Sequence, residues 1–554
     1  MAVKRKIMDK VKKYANQRNA LAYMIIVLPI VYGFAIIYKY GVNQPFWDDW
    51  DSLSLFFSFK ENNFSFSNLL KYHNGHCIFF PNIILTLSAI LSNGNMKADM
   101  YIVMVLMSVI YIIWILALKQ MDKHVPILVI AFMACFTFNS VQYDNILWGF
   151  QVGFLLTACT MLATVFSFSK MVNTKSKKYF VMVILFGVIA AFSSAQGIIA
   201  FLVICLCCMI MSIKNKKVTS EYIAIWGVFL ICLCIYSLGY SSSEGTKSLI
   251  GIIDFFIALI GAPLSTGSVM AARVIGLMML AATVIIVIHG ILSDEFEVYV
   301  FEYSTMIMTL GVLAAMALGR SEFGSEYAVA TSRYTTFSLW VYQVVVLYYY
   351  KKSNKRYVRT VGIIIGLLIG IGTNIFSFKY FDGVRSFRRE VALYMNNYDS
   401  IPLEWLYNVY PWNKFGEAYE DIQKYYNAIN SENKKLFAEV PIMQGVTDDN
   451  EVMWGIRDSD FKNDDRFYYT NSGWIFGIND SVEDVHIRIG KKEYQAWYGR
   501  RRIDVNDAYN TDSECGILFS IAKDTICEGD TVEIVAIMKN GSVYTKTIGA
   551  VKYN

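Results

Sequence analysis

About eleven apolar runs, most of them near the length that crosses a bilayer as a helix, decide what this chain can fold into. They lie at roughly 20–39, 99–118, 125–141, 151–170, 179–195, 197–213, 220–240, 271–292, 302–319, 334–350 and 358–377. Only 17% of the 554 residues are charged and the mean hydropathy is +0.39. A water-soluble domain carries about 25% charge, so the chain is expected to be a polytopic α-helical membrane protein. The net charge of +5 is small for this length and argues against a nucleic-acid partner.

Where the positive charges fall sets the orientation. Basic clusters occupy 1–19, "KQMDK" at 119–123, "KMVNTKSKK" at 170–178, "KNKK" at 214–217 and "KKSNKRYVR" at 351–359. They recur at every second loop, which predicts a cytoplasmic N-terminus (1–19) and an extracytoplasmic chain after residue 378. The N-terminal apolar run has no small-residue cleavage site and reads as an uncleaved span. Two segments, "CIFFPNIILTLSAILSNGN" at 77–95 and "FFIALIGAPLSTG" at 255–267, are short and contain proline. They read as juxtamembrane or re-entrant helices, because counting 77–95 as a span inverts every later basic loop. The loop "SDEFEVYVFE" at 293–302 is acidic on the side expected to be basic. It is kept there because acids weigh little in this rule.

Four domains follow: the N-terminal arm 1–19, a transmembrane domain 20–378 with a first outer loop 40–98, a helical linker 379–449, and an extracytoplasmic β-sandwich 450–554. The last rests on "SGWIFGI", "DVHIRIG", "KEYQAWYG", "CGILFSI" and "TVEIVAIMKNGSVYTKTIG", with an Asn-Gly hairpin signal at 540–541. Seven cysteines from Cys135 to Cys234 read as small core residues. Cys515 and Cys527 lie in the exported region, where a disulfide is open to them.

Polar groups gather at the predicted outer face. "FWDDWD" carries Asp48, Asp49, Asp51, Trp47 and Trp50, and "HNGHC" carries His73, Asn74 and His76. "QYDNILWGFQ" carries Asn145, Trp148 and Gln151, and "GRSEFGSEYAVATSRY" carries Arg320, Arg333 and Tyr334. The spans themselves are nearly free of charge, unlike those of a proton relay. Acids and arginines at one face suit a lipid-borne phosphate meeting a water-borne hydroxyl. A departing phosphate needs its charge held, which arginine does with paired hydrogen bonds. The hydroxyl needs a base, which an ionised carboxylate supplies.

Simpler readings stand beside these. Asp48 has the chemistry to cap a helix beginning there, Trp47 and Trp50 to anchor at the interface, and Arg333 to snorkel. His73 and His76, three apart, share a face if helical. With Asp48 they have the ligand types for a divalent metal, though hydrogen bonding within the loop is the preferred reading.

"WDDWD", "HNGHCIFFP", "NILWGFQ" and "SRYTTFS", with the acidic motif directly after the first span, resemble the GT-C superfamily of membrane glycosyltransferases, within a bacterial subgroup. The resemblance covers 20–378. It implies a polyprenyl-phosphate sugar donor, an envelope glycan acceptor and an outer-loop aspartate (Asp48 or Asp49) as base. It also implies substrate contacts from Asp51, Trp50, His73, Asn74, His76, Asn145, Trp148, Gln151, Arg320, Arg333 and Tyr334, in the bacterial cytoplasmic membrane. Gly75 and Cys77 stand where that subgroup has Glu and Arg, so that charge pair has no counterpart here. The C-terminal strands resemble a β-domain appended to glycan-modifying proteins, which implies glycan contact. Two other classes fit the composition: a lipid-linked oligosaccharide flippase, which calls for alternating access, and a non-catalytic glycan-binding envelope protein.

Overall fold

A computed structural model describes residues 24, 26–70, 72–73, 75–120, 125–238, 248–353, 355–397, 401, 403–406, 409, 437–447, 451–456 and 468–552. The expected N-terminal arm, and 411–436 of the expected linker, lie outside the described residues. The chain divides into two compact units. One is 1–43 with 52–384; the other is 44–51 with 385–554.

Unit one is helical. Among the described residues, eight helices are long and apolar enough to cross a membrane. After α1 (Ile26–Tyr40) and α2 (Asp49–Lys60) comes a two-residue hairpin, β1 (Tyr72–His73) and β2 (His76–Cys77). There follow α3 (Phe79–Ser92), α4 (Met96–Leu118), α5 (Ile127–Thr137), α6 (Tyr143–Leu147), α7 (Val152–Thr174) and α8 (Lys177–Ala191). Next are α9 (Ile198–Asn215), α10 (Ser220–Ser237), α11 (Leu249–Gly261), α12 (Val269–Leu292), α13 (Val300–Arg320), α14 (Gly324–Ala330), α15 (Thr335–Lys352) and α16 (Arg356–Asn396). α3 and α11 are short, as the proline-containing runs lead one to expect. α16 does not stop near 377. Lys379 ends the apolar run, but no proline follows to break the helix, and it continues to Asn396.

The acidic loop after α12 has basic and polar partners around it. Lys351 pairs with Glu302, Lys352 with Glu295, and Asn215 with Glu297, while Lys214 Nζ donates to Ser293 O at 2.6 Å. The basic end of α15 thus neutralises Glu302 and Glu295, and the end of α9 adds hydrogen bonds.

α11 and α12 meet through bare backbone. A Cβ on Gly276 would sit 1.9 Å from Ile257 O, and one on Gly261 1.9 Å from Ala272 O. Gly276→Val should therefore cost about 1–3 kcal/mol through forced separation of the helices. Thermal unfolding in lipid nanodiscs should show a lower midpoint for this variant than for Gly227→Ala, a site with open space around it.

Unit two holds the sheets. β5 (Val452–Ile456), β6 (Tyr468–Gly477), β10 (Gly516–Ala522) and β9 (Trp497–Arg500) form a four-stranded sheet in the order β5-β6-β10-β9. β3 (Glu439–Val440), β8 (Lys492–Gln495), β7 (Val482–Ile489), β11 (Thr531–Met538), β12 (Val543–Ala550) and β4 (Val446–Thr447) form a six-stranded one. The β11–β12 hairpin turns where Asn540-Gly541 predicts, with Gly541 at φ 86. Cys515 and Cys527 are both free thiols.

Glu493 is 0% exposed in its side chain and ties the larger sheet together. It bonds His486 Nδ1 at 2.8 Å and Arg488 Nη2 at 2.9 Å, and accepts from Met443 N at 3.2 Å. Removing one partner of a buried charge network leaves the others uncompensated. Glu493→Ala should destabilise this unit by about 3–5 kcal/mol, visible as faster proteolysis of the C-terminal region in full-length protein.

Candidate functional site

The acidic motif folds tightly within unit two. Trp47 adopts a left-handed backbone (φ 48), a strained state for an aromatic residue. Its N–H donates to Val409 O at 3.0 Å, and its ring stacks on Phe46 at 5.0 Å. Phe46 in turn lies under the Arg388 guanidinium, 3.2 Å from the ring centre, and edge-on to Phe387. Asp49, 4% exposed, accepts the Phe46 N–H through Oδ2 at 3.0 Å. The helix begins at Asp49, which leaves Asp48 at the position just before its first turn, where a cap stands. Asp48 is only partly buried, as is Asp51, whereas Trp50 is buried. Acids in a first turn also suit the positive end of the helix dipole.

Unit one holds the arginines. Residues 140–148, which lead into α7, are laced to the 332–336 turn that opens α15. Ser332 Oγ donates to Val141 O (2.7 Å) and accepts from Asp144 N (3.1 Å). Asn145 Nδ2 donates to Arg333 O (3.0 Å) and Thr336 Oγ1 (2.9 Å), and Thr336 Oγ1 donates to Gln142 Oε1 (2.5 Å). Asn145 is 0% exposed, so it acts by fixing the Arg333 backbone. The Arg333 side chain lies 5.8 Å from the Trp148 ring centre and 5.3 Å from that of Tyr334. Its Nη2 donates to Tyr327 Oη at 2.9 Å. Tyr327 was not among the candidate residues. It sits six residues before Arg333 inside the quoted motif, with no spacing rule to mark it.

The histidines face each other across β1–β2 (His73↔His76) and are not on a helix. Gly75, with φ 77, makes the turn. Asn74 lies outside the described residues. His73 packs on Phe150 (ring centres 5.1 Å apart), and His76 Nδ1 lies 3.5 Å from Tyr236 Oη. Gln151, next to Phe150 in sequence, is buried. Burial, then Arg320 and His73, pull the His76 pKa down to about 4. His76 is thus neutral near pH 7. Because the unfolded chain takes up that proton near pH 6.5 and the folded one only near 4, stability should fall as pH drops through this window. His76→Gln should lose less thermal stability between pH 7 and 4.5 than the parent protein does.

Arg320 lies near enough to act electrostatically on both His76 and Tyr334. Arg333 packs beside Tyr334, on which Arg320 also acts electrostatically. Among the described residues neither arginine forms an ion pair within 4.0 Å, and Asp144 acts on Arg333 from further off. A cavity of about 420 Å³ is lined by Ser332 and Thr335, neighbours of Arg333 in sequence, and by Glu326, while neither arginine lines it. Pro263, Val329, Phe376 and the stacked pair Tyr143–Tyr380 make its walls mostly apolar.

No known protein-family model matches the chain, and no curated protein matches it in sequence.

Proposed function

We propose that this protein is a membrane glycosyltransferase that moves a monosaccharide from a polyprenyl-phosphate donor to a cell-envelope glycan. The observation that carries this reading is the arginine pair. Two guanidiniums that both act on Tyr334 and form no ion pair among the described residues suit an anionic group. In this reading Arg333 and Arg320 hold the phosphate of a prenyl-borne donor.

The step is a single displacement. The Asp48 carboxylate takes the proton of the acceptor hydroxyl, whose oxygen attacks the anomeric carbon as the bond from that carbon to the phosphate oxygen breaks. The electron pair leaves with the polyprenyl phosphate, and the anomeric centre inverts. Asp48 is favoured over Asp49 as base because it is the less buried of the two, Asp49 being 4% exposed. Trp148 and Tyr334 shape the arginine site. About eleven spans, a cytoplasmic N-terminus, an outward-facing site, and a β-sandwich built from the two sheets of unit two complete the reading. The setting is a bacterial cytoplasmic membrane.

The test uses purified protein in lipid with a panel of radiolabelled polyprenyl-phosphate sugars and envelope fractions, with and without chelator. Transfer from at least one donor supports the reading, and loss on chelation assigns a metal. Transfer from none overturns it in favour of a flippase, for which movement of labelled lipid across a vesicle is the positive signal.

A further inference from the structure

The four-stranded sheet carries an aromatic surface that its own core does not use. On β6 the residues Tyr469, Asn471 and Ile475 are buried, and the alternate residues Trp474 and Phe476 lie on the opposite face, only partly covered. Trp474 is paired with glycine on both sides: Gly455 on β5 and Gly516 on β10. A Cβ at Gly455 would sit 2.2 Å from the indole, so the glycine is what lets the ring lie against the sheet. Phe476 stacks beside it, with ring centres 5.7 Å apart and planes 17° apart. Tyr509, from the helix Ile503–Tyr509, adds a third ring at 5.3 Å from Trp474 and 5.7 Å from Phe476, and stays 49% exposed. Covering a strand glycine accounts for Trp474 alone. It does not account for Phe476 or for an exposed tyrosine on a separate helix.

We infer that Trp474, Phe476 and Tyr509 form a binding platform for an uncharged saccharide chain; this rests on the proposed function in taking that chain to be the acceptor. A pyranose ring has a face of C–H bonds that packs on an aromatic face, and hydroxyls at its edge that need donors and acceptors. The platform's edge supplies both. Arg502 and Asp504 form a bidentate pair (2.9 and 2.7 Å), and Arg502 Nη1 also donates to Gly473 O. The charge around it selects the partner class. Arg502 is neutralised by Asp504, Arg500 by Glu390 (3.1 Å) and Arg389 by Glu514 (3.6 Å). With those three arginines paired, and Arg501 the one beside them that forms no ion pair among the described residues, the surface gives a polyanion or an anionic lipid surface little to hold and favours a neutral saccharide.

The test is calorimetric titration of full-length protein in nanodiscs, without any sugar donor. The probes are neutral hexasaccharides of glucose, mannose, galactose and rhamnose, with polyglycerol phosphate as the anionic comparison. At least one neutral hexasaccharide should bind, and Tyr509→Ala and Phe476→Ala should each weaken it tenfold or more while the thermal midpoint stays within a few degrees of the parent. Binding of no neutral probe, equal binding by both variants, or preference for the polyanion overturns the inference. Since no donor is present, the titration reads the platform alone; saccharide binding here together with no transfer in the donor-panel assay would retire the transferase reading and leave the platform standing. Transfer that is indifferent to Tyr509 would do the reverse.

Discussion

Replacing Arg333 with alanine should lower kcat/KM for the polyprenyl-phosphate donor by about 10²–10³-fold, a loss of about 3–4 kcal/mol in transition-state stabilisation. The donor's phosphate gains charge as the sugar leaves, so an interaction with it is stronger in the transition state than in the bound substrate. The loss should therefore show mainly in kcat. Arg333→Lys should recover little, because the amine cannot reproduce the planar fork that Tyr327, Trp148 and Tyr334 hold in place. Asn145→Ala should act on the same step indirectly. It frees the Arg333 carbonyl and unties Thr336, and its deficit should be smaller and accompanied by lower thermal stability. Steady-state kinetics on nanodisc-embedded protein with varied donor separates these cases.

Asp48→Asn should lower the rate of transfer by about 10³–10⁴-fold, the upper part of the range that a positioned base contributes. Asp49→Asn should keep activity within about tenfold, because an amide oxygen can still accept the Phe46 N–H that the carboxylate now holds. The contrast between two adjacent isosteric substitutions is the informative quantity. If Asp49→Asn were the dead variant and Asp48→Asn the active one, the assignment of the base would be reversed. Asp49→Ala belongs to neither class. It removes the acceptor for the Phe46 N–H next to the strained Trp47 turn and should cost folded protein before it costs rate.

The helical architecture was legible in the sequence because crossing a bilayer demands long apolar runs, and few other constraints produce them. The short runs at 77–95 and 255–267 gave α3 and α11, and the strand alternation after 468 gave the sheets. Less of the site was legible. His73 and His76 were spaced for a helix face, yet they face each other across a hairpin. Asn74-Gly75 is the same dipeptide that marked the turn at 540–541, but it lies between runs too short to show strand alternation. The end of α16 was set too early because hydropathy falls at Lys379 while helix-compatible residues go on. Hydropathy reports lipid contact, which is a separate matter from backbone state. The lacing of 140–148 to 332–336 depends on Ser, Thr and Asn side chains nearly 200 residues from their partners. Nothing in local pattern announces such pairs.

The central claim is that Arg320 and Arg333 receive a phosphate carried on a prenyl lipid. Native mass spectrometry of the purified protein with a sugar-free polyprenyl phosphate measures that directly. The account predicts one bound lipid phosphate per chain, lost in the double variant Arg320→Ala/Arg333→Ala and unreplaced by the corresponding polyprenol. Equal retention of phosphate and alcohol, or full retention by the double variant, would contradict it.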